Sequence, residues 1–262
     1  RLATGAPSAK VRVQAGATLE GWGALTSDVL LRLLADTEPA VRAAAVQWAE
    51  AKLRPPMESE GVLSAVCGLA GDPDPRVAFQ VALSLGESPA RPAGEALAAV
   101  ALRWGGDPLF QDAILSSAVR HLPTLLAAWE GSGTPPASLL ERVIPLASAM
   151  GDVGSLERAL ECVLRLDPQR DASTQYGALA ALVNLGDRIR PEIRRAFGPI
   201  WASAREVALD SAAPEPLRLR ALTLAAADVD GAHGSNDALA GLLVPQESRA
   251  IQEAALEALV KR

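Results

Sequence analysis

The stretch GDPDPRVAFQVALSLGE, from Gly71 to Glu87, combines a turn with the start of a helix. Asp74 is suited to the N-cap, because its carboxylate can accept the free backbone N–H groups of the first turn. Pro75 is suited to the first helical position, where a missing N–H costs nothing. Apolar residues then recur at helical spacing and predict one buried face, made of Val77, Ala78, Val81, Ala82 and Leu85.

This predicted helix is apolar over most of its circumference. Phe79 and Leu83 extend the apolar face, and only a narrow polar stripe remains, made of Arg76, Gln80 and Ser84. We expect Gly86 to close the helix in the left-handed conformation. A helix of this kind must be covered on several sides, so it indicates a neighbouring layer of helices.

The same pattern recurs along the chain, which indicates internal repeats. Pro39 and Val41 precede Pro75 and Val77 by 36 residues, and an Ala-rich helix follows in both places. Further copies contain Val11, Pro108, Leu217 and Ile251. Partner helices are predicted between the copies, at 28–35, 62–70, 94–104, 155–166, 191–209 and 236–243. Alternating helices of this kind predict a two-helix solenoid, in which stacked neighbours form one continuous core.

The repeats resemble the HEAT-repeat family, including the lyase-type HEAT repeats. The pattern D-x-x-P-x-V-R-x-x-A is carried by residues 36–45 and, less fully, within 72–82, where Ala78 replaces the arginine. The resemblance implies an all-α, right-handed α-solenoid of about seven stacked helix pairs, spanning 1–262 as a single domain. Within it we expect regular repeats at 1–122, irregular and longer helix pairs at 123–210, and further repeats at 211–262.

A narrower resemblance involves residues 68–87 and 96–118. They are similar to the HEAT segment of large planctomycete-type exported proteins described as membrane-bound dehydrogenases. In that family a β-propeller precedes the segment and a c-type haem domain with a Cys-x-x-Cys-His motif follows it. The resemblance implies that these flanking domains or another subunit are the partners, and that the location is the periplasm or cell envelope. Because the chain begins at Arg1 within a repeat, we expect an excised or processed fragment.

Composition excludes several functional classes. The formal net charge of −6 disfavours an extended nucleic-acid surface, which needs many Lys and Arg to neutralise phosphates. No run of 18 apolar residues occurs, so no membrane insertion is expected. Aromatic residues make up 3% and apolar residues 49% of the chain, so the core is expected to consist of Ala, Leu and Val.

The sequence offers few residues for chemistry. Cys67 and Cys162 lie on apolar helix faces and are expected to be free thiols. His121 is predicted at a helix end before Pro123, interacting with terminal carbonyl groups. The Gly-rich segment 228–237 contains three aspartates but does not fit a calcium-binding loop, so we interpret it as a polar connector. We therefore predict no catalytic, cofactor-binding or metal-binding residues.

Two groups of residues remain as candidates for binding a partner. Arg190 and Arg194 share a helix face and could form a small anion site, although a solvated helix end is the alternative. Tryptophans near helix ends can fill gaps between repeats, but Trp is also enriched in binding hot spots, and Trp104 with Trp129 is the preferred pair.

These features predict a non-catalytic scaffold that binds proteins, since a curved helical stack provides an extended concave surface. Two alternatives stay open at this point. One is a HEAT-like enzyme of the lyase or DNA-glycosylase type, and the other is a purely structural spacer.

Overall fold

The computed structural model describes residues 1–56, 58–133, 135–183, 190–226 and 236–260. Within these ranges the regular secondary structure is helical, with two short 3₁₀ turns, Leu69–Gly71 and Leu85–Glu87. The chain divides into two compact units, Arg1–Pro136 and Ala137–Arg262.

The first unit contains four consecutive helix pairs. Its helices are α1 (Leu2–Gly5), α2 (Ala9–Gly21), α3 (Ser27–Leu34), α4 (Pro39–Leu53), α5 (Glu60–Gly68), α6 (Pro75–Ser84), α7 (Arg91–Trp104) and α8 (Pro108–Ser132). The first helices of the pairs contact one another in chain order, from α1 to α7, and the second helices do the same, from α2 to α8. Each pair thus packs on the next in two layers.

The second unit also contains a continuous layer of helices. Its helices are α9 (Ala137–Met150), α10 (Val153–Leu164), α11 (Ala172–Val183), α12 (Pro191–Ala196), α13 (Gly198–Leu209), α14 (Glu215–Ala226), α15 (Asn236–Ala240) and α16 (Arg249–Val260). Helices α9, α11, α14 and α16 contact one another in that order, while α10, α13 and α15 pack against members of this layer. The predicted all-α stack of helix pairs is confirmed. Its right-handed twist, the number of seven repeats and the division at residues 122 and 210 stay predictions.

Helix α6 shows why these sequences become helices. The Asp74 side chain accepts a hydrogen bond from the Arg76 backbone N–H, as expected of an N-cap, and Pro75 occupies the first helical position. Hydrogen bonds from the Arg76 side chain lower the pKa of Asp74 to about 2. The five residues of the predicted apolar face are fully buried: Val77, Ala78, Val81, Ala82 and Leu85.

Three details at the end of α6 differ from the sequence-based expectation. Ser84 is fully buried rather than part of a polar stripe, because its hydroxyl donates to Glu50 Oε1 at 2.8 Å. Leu83 is 39% exposed. Gly86 does not adopt a positive φ. A Cβ at Gly86 would lie 2.9 Å from the Cα of Ser117, so glycine is needed for the close approach of α8.

The middle of the chain also departs from prediction. Helix α8 continues through Pro123, so the prediction that His121 lies at a helix end is wrong. Proline cannot donate to the carbonyl of Val119, but both residues are exposed and water can satisfy that carbonyl. Helix α9 likewise contains Pro145. The single helix predicted over 191–209 is two helices, separated at the buried Phe197.

Candidate interaction surface

A recurring polar residue ties each turn to the helix that follows it. It is the fourth helical residue of α2, α4, α8, α11, α14 and α16. In each case its side chain donates to a carbonyl oxygen in the preceding connection or, for α14, in the last turn of the preceding helix. The residues are Arg12, Arg42, Gln111, Gln175, Arg218 and Gln252. This bonding satisfies backbone acceptors that would otherwise be buried without a partner.

Two of these arginines also reach the next helix pair. Arg12 binds Asp36 through two hydrogen bonds of 2.7 and 2.8 Å, and Arg42 binds Asp72 through two of 2.7 and 2.9 Å. Burial alone would raise the pKa of Asp72, but hydrogen bonds from Arg42 and the Asp74 backbone outweigh burial and lower that pKa. The same balance lowers the pKa of Asp36.

The second unit contains a comparable pair, in which Arg218 binds Glu247 at 2.7 and 2.8 Å. The recurring arginine is visible when the repeats are aligned, but its recurrence alone does not predict these ion pairs. The signal was present, since Arg12 and Arg42 occupy the same repeat position and an acidic residue stands two positions before the N-cap of α4 and of α6.

An aromatic cluster lies where α6, α7 and α8 meet. The rings of Trp104 and Phe110 stack at a centroid distance of 5.0 Å and an interplanar angle of 10°. Phe79 meets Phe110 edge-on at 5.5 Å and 87°. The Arg103 guanidinium lies over the Trp104 ring, 5.1 Å from its centroid. The sequence therefore pointed correctly to Trp104 as a residue at a helix end, and the structure adds the three side chains around it.

The surface beside this cluster is apolar and cationic. Trp104 is partly exposed, Arg103 is exposed, and Leu109 in the first turn of α8 is 68% exposed. Within the described ranges, the indole N–H of Trp104 is buried and has no hydrogen-bond acceptor. An unpaired buried donor is costly and requires an explanation. We refer to Arg103, Trp104 and Leu109 as the Trp104 surface.

The other tryptophans differ in their surroundings. Trp129 is 1% exposed, and its indole N–H donates to Ala98 O at 3.4 Å, so it belongs to the packing between α7 and α8. Trp48 lies against Gly16 of α2, where an added Cβ would come within 2.4 Å of the ring. Trp22 is 78% exposed at the C-terminal end of α2, which the sequence did not reveal.

The proposed anion site is only partly within the described residues. Arg190 donates to Glu157 Oε2 at 2.6 Å and to Glu161 Oε1 at 3.1 Å, and its backbone N–H donates to Glu157 Oε1 at 3.0 Å. Two carboxylates therefore already compensate its charge. The Arg194 side chain and Arg188 lie outside the part of the chain that the structure describes.

The remaining residues considered for chemistry are Cys67, Cys162 and His121. Cys67 and Cys162 do not form a disulfide with each other, and burial raises the pKa of Cys67 to about 11. His121 is buried in α8, and its Nε2 lies 3.1 Å from the carbonyl oxygen of Leu85. The predicted connector at 228–237 lies mostly outside the described ranges.

The described residues bring no three potential metal-ligating side chains together. None of the described helices is long and apolar enough to cross a bilayer.

Comparison with known proteins gives a match to one family model over part of the chain. None of the curated proteins matches the chain significantly. Among solved structures, the chain is similar to a designed armadillo repeat protein, with 12% identity and a TM-score of 0.34 over 88% of this chain and 98% of that chain.

Two engineered proteins are similar at the same level. One has 15% identity and a TM-score of 0.37, covering 98% of this chain and 65% of its own length. The other has 18% identity and a TM-score of 0.32, covering 88% and 94%. At these TM-scores the similarities add nothing to what the helix packing already establishes.

The family match concerns the part of the first unit that includes Asp36, Asp72 and the aromatic cluster. It extends from the start of α3 into α8. Residues 27–116, about a third of the chain, match the family model described as HEAT repeats.

Proposed function

We propose that the chain is a non-catalytic scaffold that binds another protein through the Trp104 surface. The observation that carries this proposal is the state of Trp104, a partly exposed ring whose buried indole N–H has no acceptor among the described residues. Stacks of HEAT repeats commonly present extended binding surfaces, and the matched segment includes this residue.

The chemistry of the surface supports contact with a protein. Trp and Arg are the residue types most enriched in binding hot spots, and Arg103 and Trp104 are adjacent. Leu109, which precedes Phe110 of the aromatic cluster in the sequence, adds an exposed aliphatic side chain. Trp129 and Arg190 are not part of the proposed surface, because Trp129 is buried and Arg190 is paired with two glutamates.

A finer proposal concerns the partner. The resemblance of residues 68–87 and 96–118 to the HEAT segment of the planctomycete-type dehydrogenase proteins would make the partner a β-propeller domain, a c-type haem domain or another subunit. It would also place the chain in the periplasm or cell envelope. This finer proposal rests on the sequence resemblance alone.

The test is a calorimetric titration of the purified chain with a purified propeller domain and a purified haem domain of such a protein. The variants are Trp104→Ala and Leu109→Ala, and the second changes an exposed side chain without disturbing the core. Leu2→Ala is the matched control, because Leu2 is 65% exposed and Leu109 is 68% exposed.

We expect Leu109→Ala and Trp104→Ala to weaken binding at least tenfold, which corresponds to about 1.4 kcal/mol, and Leu2→Ala to leave it unchanged. Equal weakening by all three variants would rule out the Trp104 surface as the site. Failure of both domains to bind would refute the finer proposal, and catalytic turnover by the chain alone would refute the non-catalytic one.

A further inference from the structure

In the first unit, the second helices of successive pairs make three contacts: α2–α4, α4–α6 and α6–α8. Two of these contacts contain an ion pair near the turn that precedes the later helix, and we call this end of each contact the turn end. Arg12 of α2 binds Asp36 in the turn before α4, and Arg42 of α4 binds Asp72 in the turn before α6. Each pair forms two parallel N–H···O bonds, which are strong and fix the relative position of the groups that they join. The α2–α4 and α4–α6 contacts are therefore held in register at this end.

The α6–α8 contact lacks this clamp. The equivalent arginine position, the fourth residue of α6, is Ala78, and the equivalent aspartate position, two residues before the N-cap Asp107, is Gly105. Arg103 takes over one task of the missing arginine, since it donates to the carbonyl of Gly71 at 3.0 Å. Arg103 belongs to α7, and the bonds described for it at this turn go to backbone carbonyl oxygens and not to a carboxylate.

Aromatic rings fill the place of the missing clamp. Phe79 follows Ala78 and Trp104 precedes Gly105, and both rings contact Phe110 of α8. Contacts of this kind are favourable over a range of centroid distances and orientations. Burial of apolar surface is also non-directional, so it resists separation of the helices more than it resists sliding.

The opposite end of the α6–α8 contact is held by directional bonds. The Ser117 hydroxyl donates to Ala82 O, at 2.6 Å, and accepts from the Gly86 backbone N–H, at 3.1 Å, while His121 Nε2 lies 3.1 Å from Leu85 O. Between α6 and α8 themselves, the described contacts are thus polar bonds at one end and ring contacts at the other, and the Arg103 bond at the turn end joins α7, not α8, to the turn before α6.

The α4–α6 contact differs, because it has directional bonds at both ends. At the turn end it has the Arg42–Asp72 pair. At the other end, Ser84 donates to Glu50 at 2.8 Å, and Arg54 reaches Glu87 at 2.6 Å.

We propose that the α6–α8 contact is a joint within the first unit. The fourth helix pair, α7–α8, rotates about the end held by Ser117 and His121, and the aromatic cluster slides at the turn end. This motion changes the separation between the first turns of α6 and α8, and with it the curvature of the surface that the second helices share. Domain motions of the shear type use small sliding movements of packed helices in this way.

Spin labels at equivalent surface positions test the joint. The second residues of α4, α6 and α8 are Ala40, Arg76 and Leu109, and all three are exposed. The label pair 40/76 spans the clamped contact, and 76/109 spans the proposed joint at the same turn end. A third pair at Leu83 and Ser116, both exposed, spans the joint near its fixed end.

The labels are introduced as cysteines in a background in which Cys67 and Cys162 are replaced by serine and alanine. Dipolar broadening of the EPR spectrum gives the width of each distance distribution, and far-UV circular dichroism confirms that each variant is folded. We expect the 76/109 distribution to be at least about twofold wider than those of 40/76 and 83/116. Equal widths for 40/76 and 76/109, or a wide 83/116 distribution, would overturn the proposal.

A double substitution tests the cause. Arg42→Ala together with Asp72→Gly places at the α4–α6 contact the residue types found at the α6–α8 contact, Ala78 and Gly105. Because both charges are removed together, no unpaired buried charge remains. The 40/76 distribution is expected to widen about twofold, while the 76/109 distribution stays the same. An unchanged 40/76 width would show that the ion pair does not hold the register, which would also overturn the proposal.

Discussion

Arginine at the fourth helical position of α2 and α4 performs two tasks at once. One nitrogen of Arg42 donates to the carbonyls of Asp36 and Thr37, which belong to its own turn. The remaining N–H groups bind Asp72 of the next helix pair. The same side chain thus satisfies local acceptors and joins successive pairs, which explains why a recurring arginine accompanies the turn.

The Arg42–Asp72 pair makes the first unit sensitive to acid. Asp72→Ala leaves Arg42 partly buried without its counter-ion, so we expect the free energy of unfolding to fall by about 3 kcal/mol at pH 7. Because the pKa of Asp72 is lowered in the folded state, the pair's contribution is present above the unfolded pKa of about 3.9 and is lost as pH falls through the folded value.

Urea unfolding at a series of pH values measures both effects, and the variant is expected to lose less stability on acidification than the parent. Arg76→Ala is the control, because the Arg76 side chain is 70% exposed and only a small change is expected. If both substitutions reduce stability equally, the clamp is not the source of the effect.

Glycine at position 86 is required by close packing and not by a left-handed backbone. The sequence suggested a left-handed helix end, but the backbone there is not left-handed, and glycine is needed because Ser117 of α8 approaches so closely. Gly86→Ala is expected to reduce the free energy of unfolding by about 1–3 kcal/mol through overpacking, measured by urea denaturation.

Gly61→Ala provides the comparison for this prediction. Gly61 lies in α5, and an added Cβ would have no neighbour within 4 Å, so alanine there is expected to raise stability through its higher helix propensity. A neutral Gly86→Ala would mean that α8 can move away without cost.

At the scale of the helices, the sequence predicts where a helix begins better than where it ends. The Pro residues that begin α4, α6 and α8 were all identified, because a proline at the first helical position is a local signal. The course of α8 past Pro123 and the break at Phe197 were missed. Both depend on what a residue faces after packing, which periodicity cannot reveal.

Pro123 gives a direct test of this argument. Pro123→Ala adds an N–H that can donate to the Val119 carbonyl in the interior of α8, and the exposed site has room for the change. We expect the free energy of unfolding to rise by about 1–3 kcal/mol in thermal or urea denaturation. Pro108→Ala is the control, because Pro108 is the first residue of α8, where a backbone N–H would have no partner within the helix. An equal gain from both variants would contradict the explanation.

At the scale of the molecule, the repeat pattern was sufficient to predict an all-α stack of pairs, because it records which faces must be buried. The candidate site was only partly predictable. The sequence indicates Trp104 as a candidate, but nothing in it indicates Leu109. Trp129 is the same type of residue as Trp104, yet it is buried. Exposure depends on contacts between helices that are distant in sequence, so residue type alone cannot separate these cases.

The contact pattern of the first unit predicts how its stability is distributed. Each helix pair contacts its neighbours in the chain, and Arg1–Pro136 forms one compact unit. Stability in such arrays is approximately a sum of repeat and neighbour-interface terms, so it increases with the number of pairs. We therefore expect a fragment of residues 1–136 to be helical and to unfold cooperatively, and fragments 1–87 and 1–53 to have successively lower melting temperatures. Circular dichroism during heating measures all three, and a 1–136 fragment without a cooperative transition would show that the first unit has no sufficient core of its own.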